Sequence, residues 1–538
     1  MPALSYARSK DIIGSWQGSE QDLKVEPVGI LETLRDLSKD CFLIDHQGKI
    51  SVTNAGSFHI GQEIEDSHPV IGFSPAISPS NFGDSAFITE HGLKSAYMAG
   101  SMANAISGVE LVTAMGKAGY MASYGSGGTA PEKLLKAIIS IKAELPAGPY
   151  AFNLIHSPNE PIMEQKAVDL FLEHNVETIE ASAFLRLTPT VVQYRAAGLD
   201  TDSSGKVQIK NKVIAKLSRP EVAVHFLNPP PEKMLTKLVQ EGKITSRQAQ
   251  LAQNIPMADD ITVEADSGGH TDNRPLVGLL PSITTLRNEV QEKNNYPIQV
   301  RIGAGGGIST PASVLAAFSM GAAYVVTGSV NQGCTEASTS QQVKHALAMA
   351  AAPDVMMAPS ADMFEMGVKV QVLKRGTMFP MRSQKLYETY LKYDSINEIP
   401  QTERKDIEQK IFRNDLDSIW GECVKFFSER DPDLLIKVEN NPKRKMALIF
   451  RWYLGLATHW GIQGIQERVL DYQIWCGPSM GAFNDWARGT DLEESENRKV
   501  VDVADQLMLG AAYQYRLNQL AIQGLHVPTG WGRYSGSK

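Results

Sequence analysis

The sequence of 538 residues has few cysteines, no strong charge bias and no long hydrophobic run. Its four cysteines lie far apart and form no CxxC pair, so we expect neither a disulfide framework nor a zinc site. The net charge of −8 argues against nucleic-acid binding, which usually requires a basic excess. No window approaches about 18 uncharged apolar residues, so we expect no membrane span. Residues 1–20 lack the pattern of a signal peptide, and a reducing cytoplasm is the expected location.

Apolar runs and helical patterns divide the chain into three predicted segments. Residues 1–90 contain short strand-like runs and turn residues. Residues 91–334 alternate apolar runs with amphipathic helices, which is typical of parallel β/α architecture. Within them, three prolines open a predicted helical insertion at about 229–255. Residues 335–538 show helical patterns without this alternation, so we predict a mainly helical extension.

Eight apolar runs in the second segment predict eight parallel strands. Eight such units favour a closed (β/α)₈ barrel, although an open sheet gives similar runs. In one connecting helix, Thr129 and Glu132 have the spacing of a capping box. The predicted strands are Ala96–Gly100, Tyr120–Ser123, Tyr150–Leu154, Thr178–Ala181, Val213–Leu217, Ile261–Glu264, Gln299–Ile302 and Tyr324–Thr327.

Two glycine-containing turns follow the seventh and eighth predicted strands. The first includes Gly306 and Gly307, and Thr310 then caps a predicted helix; the second is Gly328-Ser329. Glycines let backbone N–H groups approach an anion, and the loops after strands seven and eight of such barrels often bind a phosphate. These turns therefore predict a phosphate site, and a pair of tight turns without a ligand is the alternative.

A histidine follows the sixth predicted strand in the run Ser267-Gly268-Gly269-His270. This turn places His270 at the carboxyl-terminal rim of the barrel, where catalytic groups lie. An imidazole there can donate a hydrogen bond to a substrate carbonyl or transfer a proton near neutral pH. The alternative is a structural loop histidine.

Two further strands carry polar side chains. Asn153 closes the third strand, and Lys216 lies within the apolar fifth strand. An ammonium in such a run needs a partner, because burial of an unpaired charge is costly. An anionic phosphate or an electron-rich ring would provide that partner, and a lysine that extends to solvent is the alternative.

In these positions the sequence resembles the nitronate monooxygenase-like family of FMN barrels. Several motifs are similar to one branch of that family, the PfaD branch of trans-acting enoyl reductases in polyunsaturated fatty acid synthases. This resemblance covers nearly the whole chain, the helical extension included. The motifs are His156-Ser157-Pro158, Glu180–Phe184, Asp266–Asp272, Gly328–Gln332, Ala361–Val368 and Asp471–Pro478.

The resemblance implies FMN as cofactor, NADPH as hydride source and enoyl thioesters carried on acyl carrier protein domains. It also implies association with other subunits of a large synthase, and it implies no metal. A homodimer is the common expectation for a soluble enzyme. By resemblance, His270 is the catalytic residue. The residues implied to hold the cofactor are Ala99, Asn153, Lys216, Gly269, Gly306, Gly307, Gly328 and Ser329.

Three alternatives stay open at this point. The barrel motifs also permit the oxygen chemistry of a nitronate monooxygenase. A barrel resembling inosine monophosphate dehydrogenase would use a cysteine nucleophile, but Cys334 follows the eighth strand rather than the sixth. A scaffold that keeps a flavin fold without catalysis is the third alternative.

Overall fold

The computed structural model describes residues 4–6, 11–62, 64–158 and 160–534. Its strands are β1 (Ser5–Tyr6), β2 (Gly14–Gln17), β3 (Cys41–His46), β4 (Lys49–Thr53), β5 (Ser57–Ile60), β6 (His68–Ser74), β7 (Tyr97–Ala99), β8 (Met121–Tyr124), β9 (Ala151–Ile155), β10 (Thr178–Ser182), β11 (Leu199–Thr201), β12 (Val207–Ile209), β13 (Lys212–Leu217), β14 (Asp260–Glu264), β15 (Gly269–His270), β16 (Arg301–Gly305), β17 (Val325–Thr327), β18 (Val355–Pro359), β19 (Lys369–Leu373) and β20 (Leu525–His526).

Helices account for most of the connections between these strands. They are α1 (Pro27–Arg35), α2 (Ser85–His91), α3 (Val109–Lys117), α4 (Pro131–Glu144), α5 (Pro161–Glu173), α6 (Pro189–Ala197), α7 (Pro220–Leu227), α8 (Glu232–Gln240), α9 (Ser246–Ala252), α10 (Leu276–Asn294), α11 (Pro311–Ser319), α12 (Ser329–Gln332), α13 (Gln341–Ala348), α14 (Phe379–Lys392), α15 (Gln401–Ile407), α16 (Leu416–Arg430), α17 (Pro432–Val438), α18 (Pro442–Gln463), α19 (Ser479–Ala487) and α20 (Val500–Ile522). No described helix is both long enough and apolar enough to cross a bilayer.

The N-terminal segment is strand-rich, as predicted. Its five antiparallel strands have the order β4-β3-β6-β2-β5. Leu43 and Val52 of this sheet share a buried apolar cluster with Leu34 of α1 and Tyr513 of α20. The sheet therefore buries one face against helices, which a small antiparallel sheet needs for stability.

The eight predicted barrel strands form one closed parallel barrel. Its order is β7-β8-β9-β10-β13-β14-β16-β17, and β17 pairs back to β7. Most of these strands are buried along their whole length because helices cover the outside and side chains fill the inside, so they read as continuous apolar runs. The prediction of a (β/α)₈ barrel is confirmed.

The insertion and one of the two predicted caps are also found. Helices α8 and α9 lie between β13 and β14, the fifth and sixth barrel strands. Thr310 accepts a hydrogen bond from the Ser313 N–H and caps α11. The capping box of Thr129 is wrong, because α4 begins at Pro131 without a side-chain cap and the Thr129 hydroxyl donates to the Ser126 carbonyl.

The C-terminal extension is mainly helical, but it also contains an antiparallel pair of strands that the sequence pattern did not predict. Strands β18 and β19 pair with each other, and β19 pairs with the short β15. Because β15 is Gly269–His270, this sheet holds the predicted catalytic loop against the extension. Helices α14, α16 and α18 share a buried cluster that includes Phe364 and Tyr453.

The chain contains two compact units. One consists of residues 1–96, 309–324 and 501–538, and the other of residues 97–308 and 325–500. These boundaries differ from the predicted segments because α11 and most of α20 group with the N-terminal residues. The barrel strands and most of the extension belong to one unit.

Candidate active site

A cavity of about 1000 Å³ is lined by residues that follow the carboxyl ends of the barrel strands and by residues of the extension. Ala99 is fully buried within β7, and the cavity is lined by the next residue, Gly100. All the other predicted site residues line the cavity: Asn153, Lys216, Gly269, His270, Gly306, Gly307, Gly328 and Ser329.

The two glycine turns lie at the ends of the adjacent strands β16 and β17. Gly306 and Gly307 have φ angles of +79° and +77°, which non-glycine residues rarely adopt. A Cβ atom on Gly306 would lie 2.6 Å from the Ala265 carbonyl carbon, so glycine is required there for space as well. Neither Gly307 nor Gly328 donates its N–H to another described residue. These turns thus offer free donors to an anion.

Lys216 extends from β13 to a carboxylate on the neighbouring strand β14. Its Nζ lies 3.3 Å from Glu264 Oε1, and both side chains are mostly buried. Burial lowers the pKa of Lys216, but the charges of Glu264 and Glu180 outweigh burial, and the pKa is raised. The lysine is therefore a fixed positive charge at the cavity wall, and its partner is a protein carboxylate.

His270 pairs with Asp362 of the extension. The distance from His270 Nε2 to Asp362 Oδ1 is 3.2 Å, and Ser360 donates its hydroxyl to the same carboxylate oxygen. Burial lowers the pKa of His270, but the hydrogen bond and the charge of Asp362 outweigh burial, and the pKa is raised. This arrangement favours a protonated imidazole that can donate to an oxygen atom in the cavity.

Asn153 forms part of a polar network between β9 and β10. Its Nδ2 donates to the Glu180 carbonyl at 2.9 Å and to Ser182 Oγ at 2.8 Å. The Glu180 side chain is fully buried, and its Oε2 accepts the Ser101 N–H at 2.9 Å. Its Oε1 has no hydrogen-bond partner among the described residues. The network ties the first βα turn to β9 and β10.

A second part of the cavity lining is apolar. Leu185, Met366 and Phe426 are 55%, 58% and 53% exposed, respectively, and all three line the cavity. Large apolar side chains that remain exposed around one cavity indicate a binding surface. Near Phe426, Arg430 Nε lies 3.0 Å from Glu160 Oε1, which ties the end of α16 to the loop before α5.

Sequence reasoning missed several charged groups of this site. Asp362 belongs to the Ala361–Val368 motif, but no local signal joins it to His270. Glu180 begins another motif, and Glu264 ends a predicted strand, so a search for acids at strand ends would have found both. Cys334 is fully buried and donates its thiol to the Val330 carbonyl, which fits a packing role.

A further cluster of side chains lies in the N-terminal segment. The potential metal-ligand atoms of Glu20, His46 and His68 are within 4.8 Å of one another. Glu20 is 71% exposed and lies 3.8 Å from His68 Nε2. An exposed pair of this kind is screened by solvent, so it does not by itself indicate a metal site.

Three family models match the chain. The nitronate monooxygenase model matches residues 86–415, which is more than half of the chain. The model of the N-terminal domain of fatty acid synthase subunit PfaD matches residues 16–76. The model of the inserted helical domain of acyl-carrier-protein S-malonyltransferase matches residues 393–472, within the extension.

Several known proteins are similar to this chain. It is 49% identical to a polyunsaturated fatty acid synthase subunit of Thraustochytrium sp., over 82% of this chain and 30% of that protein. It is 44% identical to polyketide biosynthesis protein PksE of Bacillus subtilis, over 81% of this chain and 57% of that protein. The chain thus spans between about a quarter and three fifths of the length of the curated relatives it matches.

One solved structure is similar to most of this chain. The enoyl reductase domain of MlnA, from the macrolactin biosynthesis cluster of Bacillus amyloliquefaciens, is 40% identical, with a TM-score of 0.78. The match covers 82% of this chain and 100% of that one. Together with the family models, this similarity establishes that the chain belongs to the nitronate monooxygenase family and, within it, resembles the fatty acid synthase subunit PfaD.

Proposed function

We propose that the protein is an FMN-dependent enoyl reductase that uses NADPH to reduce enoyl thioesters carried on acyl carrier protein. The observation that carries the proposal is one cavity whose lining includes two glycine turns, Lys216, the His270–Asp362 pair and a large apolar wall. The similarity to the enoyl reductase domain of MlnA supports the same reaction.

The residues fit FMN. The free N–H groups of Gly307 and Gly328 would bind its phosphate, and the absence of a Cβ atom on Gly306 lets the first turn pack against the Ala265 backbone. Lys216 would place positive charge near the flavin ring, and Asn153 would lie at its edge. When bound, FMN supplies the hydride chemistry, by accepting a hydride from NADPH and passing it to the substrate.

His270 would orient and polarise the substrate. Its protonated ring would donate a hydrogen bond to the thioester carbonyl, where negative charge develops when hydride adds at the β-carbon. Asp362 holds the ring and favours its charged form. Preorganised donors of this kind contribute much of the rate of such reactions.

The apolar wall supports a fatty acyl substrate. Leu185, Met366 and Phe426 offer an exposed apolar surface that an acyl chain can cover. The match between residues 393–472 and a helical domain of an acyl-carrier-protein transferase supports a carrier protein as the substrate's carrier. The relatives that belong to synthases support other synthase subunits as partners.

We also propose a homodimer, which light scattering of the purified protein would test.

The function is tested on purified protein under anaerobic conditions. We expect flavin absorbance that NADPH bleaches and that a trans-2-enoyl thioester restores. If the reduced flavin is reoxidised by oxygen with an alkyl nitronate but not by the enoyl thioester, the protein is instead a nitronate monooxygenase. That is the activity that the family model names. If the protein binds no flavin after reconstitution, the remaining interpretation is a scaffold without catalytic activity.

A further inference from the structure

The cavity contains a second histidine–carboxylate pair. His156 follows β9, lines the cavity, and its Nδ1 lies 2.9 Å from Glu164 Oε2. The Glu164 side chain is only 3% exposed and that of His156 is 13% exposed. Burial of an isolated carboxylate is costly, so a buried glutamate needs hydrogen-bond or charged partners.

Both oxygens of Glu164 have partners. His156 contacts Oε2, and the hydroxyl of Thr188, which caps α6, donates to Oε1. The carboxylate is therefore fixed by two hydrogen bonds and by its position on α5. Such a group sets the orientation of the imidazole ring, as the carboxylate does in other histidine–carboxylate pairs.

The imidazole ring is also held from other sides. It stacks on Phe184, with ring centroids 5.2 Å apart and an angle of 21° between the planes. The backbone N–H of His156 donates to the Ser182 carbonyl at 3.0 Å, and Ser182 Oγ accepts a hydrogen bond from the Asn153 side-chain amide. His156 is thus anchored to the polar network beside the proposed flavin site. Among the described residues, Nε2 has no hydrogen-bond partner, which leaves it available to a ligand in the cavity.

We propose that His156 is the acid that protonates the α-carbon of the enoyl thioester, with Glu164 as its positioning residue. This inference rests on the proposed function. Hydride that originates from NADPH forms a C–H bond at the β-carbon, the carbon–carbon π bond breaks, and its electron pair moves to the α-carbon. That carbon takes the proton from Nε2 of the doubly protonated ring, whose charge lies against Glu164, and solvent returns a proton to Nε2.

The two histidine–carboxylate pairs would then have different roles. His270 has Lys216 and Glu264 among its charged neighbours and belongs to the loop after β14, whereas His156 belongs to the loop after β9. One imidazole then polarises the carbonyl oxygen while the other protonates carbon. General acid catalysis by a positioned side chain contributes about 10²–10⁴-fold.

The test separates the two half-reactions by anaerobic stopped-flow absorbance. We expect His156→Asn to slow reoxidation of the reduced flavin by a trans-2-enoyl thioester about 100-fold or more, while flavin reduction by NADPH changes less than about twofold. Glu164→Gln is expected to slow only reoxidation, with a larger solvent deuterium isotope effect on that step. The matched control is His225→Asn on the exposed side of α7, which should behave as wild type.

Two results would overturn the inference while the proposed function stands: unchanged reoxidation in His156→Asn, or equal losses in both half-reactions, which would indicate a structural role. A wild-type protein whose reduced flavin is not reoxidised by the enoyl thioester would instead overturn the proposed function, and this inference with it.

Discussion

At the scale of single residues, Asp362 controls the charge of His270. Because the pKa of His270 is raised above its ordinary value of 6.5, this histidine stabilises the fold fully below pH 6.5 and loses that effect as pH rises through the raised pKa. The pKa of Asp362 is lowered from 3.8, since the hydrogen bond and charge of His270 outweigh burial. Its contribution is present above pH 3.8 and is lost at lower pH.

We therefore expect Asp362→Asn to lower the melting temperature most between about pH 4 and pH 6.5, and less at higher pH. Both side chains are about one third exposed, so solvent screens the pair and the expected loss is only about 1–2 °C. Differential scanning fluorimetry across this range measures it. Asp505→Asn is the matched control, because it also removes a half-exposed aspartate from an ion pair, but the partner is a lysine, Lys94, rather than a histidine. A pH-independent loss in Asp362→Asn would contradict the argument.

The sequence predicted the residues that lie at strand ends but not the partners that reach them from elsewhere. Asn153, Lys216 and His270 could be located because parallel strands bring their carboxyl ends to one rim. Asp362 lies 92 residues after His270, and the contact depends on the pairing of β15 with β19. A two-residue strand has no periodicity to detect, so this contact could not be predicted.

At the scale of elements, α16 and α18 supply side chains to the cavity wall. We expect Phe426→Ala, on α16, to raise the KM for a long-chain enoyl thioester about tenfold or more and to leave a four-carbon thioester unchanged. The physical reason is that only a long chain would cover the Phe426 ring. Steady-state kinetics with both thioesters measures the effect.

The control for Phe426→Ala is Ile436→Ala on α17, which removes an apolar side chain that is 68% exposed and does not line the cavity. Neither change should unfold the protein, because both side chains are exposed. Equal changes with the short and the long thioester would show that α16 does not bind the acyl chain.

The elements themselves differ in how far their patterns determine them. All eight barrel strands were predicted, since burial on both faces produces long apolar runs bounded by turns. The strands β18 and β19 were not predicted, because they lie in a segment dominated by helical patterns. The predicted helix cap at Thr129 was wrong, because in this glycine-rich turn the Thr129 hydroxyl donates to the Ser126 carbonyl instead.

At the scale of the whole molecule, the extension returns to the barrel loops through the segment Asp471–Pro478. Asp471 is fully buried and is held by Arg382, Arg468 and the hydroxyl of Tyr453. Further along, the Gly477 N–H donates to Ser329 Oγ at 3.0 Å. The extension therefore supports the turn that we propose to bind phosphate as well as the loop of His270.

Gly268 tests this dependence, because a Cβ atom there would lie 2.9 Å from the Cys476 backbone nitrogen. We expect Gly268→Ala to cost about 1–3 kcal/mol of stability, as overpacking does, and to weaken FMN binding, because the His270 loop and the segment at Cys476 must move apart. Thermal unfolding and a flavin fluorescence titration measure the two effects. Gly278→Ala, in α10 with no heavy atom within 4 Å of the new Cβ, should instead stabilise the protein by about 0.5–1 kcal/mol. Wild-type flavin affinity in Gly268→Ala would mean that the barrel loops hold the cofactor without support from the extension.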